Sequence, residues 1–237
     1  MYDKVIPAAV LLAALMVGGC AGPGPGDSER AVYDRSIADS AVYRKTAALP
    51  LTPLSYPVQA ASLTNYASSW AEGKEGQTIT LSRDTWITVE PEVRKLCQGT
   101  APDRVIDRLH KLLGLKPAAA GDEAGKFVLM TIAGPQRTGP AGIGVFRPCP
   151  DPDPKAASCG NSLAGGDAYI KWFAQNLLYS YKLAPDMKET GWPWTHLGYT
   201  YDWDPAASSR RGAQEYVAPK GTRVLIREIV SPQDYCR

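Results

Sequence analysis

From residue 63 onward, the apolar positions fall into runs with two different periods, and each period predicts a different element. Thr78-Ile79-Thr80-Leu81 and Thr85-Trp86-Ile87-Thr88-Val89 alternate and are rich in β-branched residues, the signature of strands. Phe127 to Ile132 is a short apolar run, read as a buried strand, and Val145-Phe146 as a shorter one. Gln214–Val217 and Thr222–Val230 predict a β-hairpin turning at Ala218-Pro219-Lys220-Gly221. Helical spacing appears elsewhere. Pro91 suits a first helical position, Glu92 its first turn and Gly99 its stop, with Val93, Leu96 and Cys97 on that helix. Between Thr100 and Gly114, the residues Val105, Ile106, Leu109, Leu112 and Leu113 form one apolar stripe. A helix over 167–182 carries Ile170, Trp172, Phe173, Leu177, Leu178 and Tyr181, more than a single stripe, which predicts a central position. Strands and helices mix without a βαβ rhythm. The expected fold is therefore α+β, one compact domain around a mainly antiparallel sheet.

The first 62 residues read differently. Residues 28–45 allow a helix, but Val32, Ile37 and Val42 are only loosely spaced, and Pro50, Pro53 and Pro57 then enforce extended or turn structure. Residues 20–62 are expected to form a tether and an approach segment, and residues 63–237 the globular domain. Upstream, an apolar run from Val5 to Val17 follows a short charged start. As a helix it is about 20 Å long, too short for a roughly 30 Å hydrocarbon layer. It closes on Val17-Gly18-Gly19-Cys20, which resembles the lipobox of bacterial lipoproteins. The resemblance implies that residues 1–19 are a signal peptide, and that Cys20 is acylated and becomes the mature N-terminus. The membrane is then a partner through those acyl groups. Ala21 after the cysteine implies sorting to the outer membrane, and the domain then faces the periplasm or the exterior. The Gly/Pro run from Ala21 to Gly26 fits a tether. None of this implies an activity.

Charge narrows the partners. The net charge is +2, and loss of residues 1–19 removes Asp3 and Lys4 together and leaves it unchanged. With no basic stripe, nucleic acid is not an expected partner. No later apolar run reaches membrane-spanning length.

Beyond Cys20 the cysteines are Cys97, Cys149, Cys159 and Cys236. An even number in an oxidising compartment reads as two disulfides, with three pairings possible. The favoured scheme joins Cys149 to Cys159 across a proline-rich loop, and Cys97 to Cys236 so that the C-terminal end is pinned back. The chain-entropy model gives these loops about 2.7 and about 5 kcal/mol. No C-x-x-C motif or Cys/His cluster appears, so no metal site is expected.

Chemistry concentrates between Gly191 and Asp204, which hold half of the tryptophans and one of the two histidines. Aromatic faces stack on sugar rings, and Asp and Tyr supply orienting hydrogen bonds. Leu197, Tyr199, Tyr201 and Trp203 share a face at period two and are expected to pack the core. Trp192, Trp194 and His196 fall on the opposite face and, with Asp202, are the candidate binding residues. Two functions fit: a non-catalytic binding or assembly lipoprotein that meets an envelope protein or glycan, or an envelope hydrolase. The hydrolase would use Asp202 or Asp204 with Glu189 or Glu215. No G-x-S-x-G elbow supports a serine triad. The Gly134–Gly144 loop lacks a phosphate-loop ending, and no cofactor is implied. Asp151 and Asp153 lack the full calcium-loop pattern and read as a rigid polar loop.

Overall fold

The computed structural model describes residues 28–42, 50–118, 125–183 and 191–237. Cys20 and residues 1–19, the expected signal peptide, lie outside these residues. Among them are seven strands: β1 (Val58–Thr64), β2 (Thr78–Thr80), β3 (Thr85–Val89), β4 (Lys126–Ile132), β5 (Tyr199–Tyr201), β6 (Arg211–Ala218) and β7 (Arg223–Val230). They form one antiparallel sheet in the order β2-β7-β4-β1-β3-β6-β5. The helices are α1 (Glu29–Ala41), α2 (Ala67–Trp70), α3 (Glu92–Cys97), α4 (Val105–Leu112), α5 (Asp167–Ser180) and α6 (Pro232–Tyr235). The fold is α+β, as the mixed periodicity predicts. No helix among the described residues is long and apolar enough to cross a membrane.

The sheet is rolled. Thr80 pairs with Arg223 and Thr85 with Ala218, so one register runs from β2·β7 into β3·β6. Leu81 N donates to Thr222 O, and Gly221 N to Leu81 O, across the gap between them. β2–β3 and β6–β7 are therefore two long, bent strands. Because β3 pairs with β1, β1 with β4 and β4 with β7, the pairings close into a circuit. Alternate side chains, including Ala60, Ile87, Met130, Tyr216 and Ile226, fill its interior.

The expected hairpin of β6 and β7 does not form, since the two strands pair with different neighbours. The Pro-Lys-Gly signal instead marks a bend within a continuing strand. Thr222 N closes a turn onto Pro219 O, and Asp84 Oδ1 accepts Lys220 N from the facing strand. That facing chain holds the bend open against itself and prevents reversal.

Helices α3, α4 and α6 cover one part of the outer face. Val105, Leu109 and Leu112 on the predicted stripe of α4 are buried there beside Phe127 and Ala213. Each such side chain contributes about 1.5–3 kcal/mol by leaving water. Tyr235 of α6 stacks on Phe127 with centroids 3.7 Å apart. The disulfide Cys97–Cys236 links α3 to the C-terminal end, and Cys149–Cys159 closes the proline loop. Both pairs are the expected ones. Asp151 Oδ1 and Asp153 Oδ1 accept the backbone N–H groups of Asp153 and Lys155, so these carboxylates shape the loop.

Two further expectations are corrected. The α5 helix is not central: Tyr169 and Phe173 pack under it against Phe146 and Val217, while Leu178 and Tyr179 are exposed. Its second apolar stripe faces outward. Leu63, expected near the start of the folded part, lies inside β1, an interior strand of the sheet. Leu51, Leu54 and Tyr33 are buried as well, so the fold engages the segment expected as a tether. The α1 helix has a Ser28 N-cap and too few apolar side chains to advertise docking. It is held through Tyr33, edge-on to Trp203 at 5.5 Å, through the Tyr201 hydroxyl donating to Asp39, and through Glu29 on Lys111.

Candidate functional site

Strand register builds the floor of a cavity. Trp86 pairs with Val217, Thr88 with Glu215 and Ala61 with Thr88, so Trp86, Thr88, Glu215 and Ala61 share the outer face of the rolled sheet. The end of α4, with Leu113 to Lys116, forms one wall. The Trp192-Pro193-Trp194 segment forms another, and Tyr33 of α1 reaches in. Trp70, Lys74, Arg83 and Asp84 complete the lining. The cavity volume is about 720 Å³.

The walls are aromatic. Trp86 and Trp194 meet edge to face at 6.1 Å, and Trp172 lies 6.2 Å from Trp86. Trp172 Nε1 donates to Asp84 Oδ2. Trp192 is 39% exposed and Trp86 37%, so both present ring surface to solvent.

At the floor stands one carboxyl. Glu215 is 7% exposed. Trp194 Nε1 donates to its Oε1 at 3.0 Å, and its backbone N–H donates to Gly198 O. Burial pushes this carboxyl up to about 8, against the smaller opposing effect of the Trp194 hydrogen bond.

The four candidates from the Trp192–Asp204 segment separate in space. Trp192 and Trp194 line the cavity, but Trp194 is only 2% exposed and belongs to the core with Phe146 and Phe173. His196 and Asp202 are elsewhere. His196 is buried, contrary to its expected exposure, with Nδ1 3.0 Å from the Tyr181 hydroxyl, and burial lowers its pKa to about 4. The physical reason lies in the backbone. A Trp194–Thr200 bridge closes a loop, His196 has φ 47° and Gly198 φ 79°, so no single extended run reaches from Trp192 to Trp203. A Cβ at Gly198 would sit 2.7 Å from Arg147 Cδ. The period-two face of Leu197, Tyr199, Tyr201 and Trp203 is buried as expected, and so is the other face, because β5 lies between α1 and α4.

Asp202 is bound by Arg108 and does not line the cavity; Asp204 Oδ2 is 3.8 Å from the same guanidinium. Glu189 lies outside the described residues. Trp70 and Trp86 were not singled out from sequence. The signal for Trp86 was present: in Thr85–Val89 it shares a face with Thr88, opposite Ile87. Among the described residues no group of three or more His, Cys, Asp or Glu side chains is placed to hold a metal ion.

Compared with known proteins, the chain matches no family model, no curated protein and no solved structure.

Proposed function

We propose that this protein is an outer-membrane lipoprotein, held by acyl groups on Cys20, whose domain binds an envelope glycan in the tryptophan-lined cavity without transforming it. The observation that carries the reading is the cavity itself: about 720 Å³, open tryptophan rings at Trp86 and Trp192, and one carboxyl in the floor. Ligand sites of about 300–1,000 Å³ typically combine apolar walls with a few placed polar groups. Flat rings stack on the apolar faces of sugars, and a carboxyl orients hydroxyls. The anchor rests on the lipobox resemblance at Val17–Cys20.

Calorimetric titration of the protein with neutral oligosaccharides, chitotetraose and maltotetraose, tests the reading. Saturable binding of either supports it, and absence of binding to both contradicts it.

A hydrolase is the second reading, favoured by one observation. A carboxyl held in its acid form is the state a general acid needs to protonate a glycosidic oxygen. On that reading the acid is Glu215, not Asp202, and the second carboxylate is Asp84, which lines the same cavity. Asp84 is tied to Trp172 Nε1 and Lys220 N. Release of reducing ends from either oligosaccharide decides between binding and hydrolysis.

A further inference from the structure

The Glu215 carboxyl is oriented on one side only. Oε1 accepts from Trp194 Nε1, while Oε2 has no hydrogen-bond partner among the described residues. Oε2 is also absent from the fully enclosed polar atoms that lack partners, so it keeps some accessible surface, and Glu215 lines the cavity. The surrounding titratable and charged groups do not neutralise a charge there. Tyr181, from the end of α5, is a phenol that burial keeps protonated. Lys74 donates to Trp70 O, and Arg83 lies over the Tyr66 ring. Lys116 and Asp84 line the same cavity, and no ion pair reaches Glu215 among the described residues. An ionised carboxylate would therefore have one N–H donor and aromatic walls, a poor exchange for water.

We propose that Glu215 determines specificity in this cavity: as a neutral carboxylic acid it donates a hydrogen bond from Oε2 to an uncharged oxygen of the bound glycan, a hydroxyl or acetamido oxygen. This rests on the glycan reading and names what that site selects. An apolar chain that displaced water from the site would leave the O–H unmet, which costs binding. A cationic ligand would require the ionised form and would meet Lys74, Arg83 and Lys116 along the lining.

Two measurements on the full protein test it. Infrared spectra should contain a protonated-carboxyl band at neutral pH that disappears as pH rises through about 8 and is missing in Glu215→Gln. Chitotetraose or maltotetraose affinity should fall about tenfold between mildly acidic and alkaline buffer for the wild type, in line with one lost hydrogen bond. In Glu215→Gln, whose amide still donates, affinity should not change with pH. The infrared titration of the wild type stands alone if the variant folds poorly. Absence of the acid band at neutral pH, or wild-type affinity independent of pH, overturns the inference and leaves the glycan reading standing. Absence of binding to both oligosaccharides at every pH overturns the reading and the inference together.

Discussion

Arg108 and Asp202 meet through two parallel hydrogen bonds, Nη1 to Oδ1 at 2.9 Å and Nη2 to Oδ2 at 2.6 Å, and this pair joins α4 to the segment after β5. The Asp202 side chain is 4% exposed and that of Arg108 22%. Removing Asp202 leaves the mostly buried Arg108 charge with only the longer 3.8 Å contact to Asp204. Asp202→Ala should destabilise the protein by about 3 kcal/mol, read from urea or thermal unfolding. The change should leave oligosaccharide affinity in the folded protein unaltered. A stable variant that had lost ligand binding would return Asp202 to the functional site.

Trp194→Ala is predicted to cost about 3–5 kcal/mol. The indole touches Trp86, Phe173 and His196 and supplies the hydrogen bond to Glu215. Thermal melts measure the loss directly. A near-neutral effect would mean that the ring is not packed as described.

These two residues also mark how far the sequence was legible. Local periodicity identified β3, β4 and α4, because their apolar spacing matches the face they bury. Cysteine parity and loop chemistry were enough for both disulfides. The reach of the domain below residue 63 was not legible. The α1 helix docks through Tyr33, the half-buried Val32 and Ile37 beside it, and polar contacts, a set too sparse to leave a clear periodic trace. Pro-Lys-Gly looks the same in a hairpin and in a long strand bent against a partner, so the β6–β7 bend carries no distinguishing sequence signal. Period two misplaces Trp194 and His196 because it assumes an extended chain, and the left-handed backbone at His196 and Gly198 breaks it. Glu215 stood among the candidate carboxylates, but its cavity is built by residues from α1, β1, β3 and the end of α4 that share no sequence signal.

Stability should depend on pH through two buried groups with opposite signs. His196 titrates near 4 when folded and near 6.5 when unfolded, so its contribution is present above 6.5 and lost as pH falls to about 4. Glu215 titrates near 8 when folded and near 4.5 when unfolded, so its contribution is present below 4.5 and lost as pH rises through about 8. Between 4.5 and 6.5 the two slopes oppose each other. From 6.5 to 8 the Glu215 slope dominates, and stability should fall by about 1 kcal/mol. Glu215→Gln should abolish that fall and uncover a rise with pH below 6.5. Urea unfolding in a pH series checks both halves.

On the proposed anchor, Cys20→Ser should release the protein from the membrane, since stable attachment would depend on several acyl chains at that one residue. Fractionation of membranes, with mass spectrometry of the extracted N-terminus, reads the result. A variant that stays with the membrane, or a mature chain beginning elsewhere, contradicts the anchor.

The most direct measurement of ligand binding in the cavity is a paired titration of wild type and Trp192→Ala with chitotetraose and maltotetraose, with melting curves run beside it. Trp192 lines the cavity with 39% of its surface exposed, so its loss should leave the melting temperature within a few degrees. Affinity for the bound oligosaccharide should drop by about two- to twelvefold, the worth of one stacking contact at about 0.5–1.5 kcal/mol. Unchanged affinity in a stable Trp192→Ala protein would contradict the account.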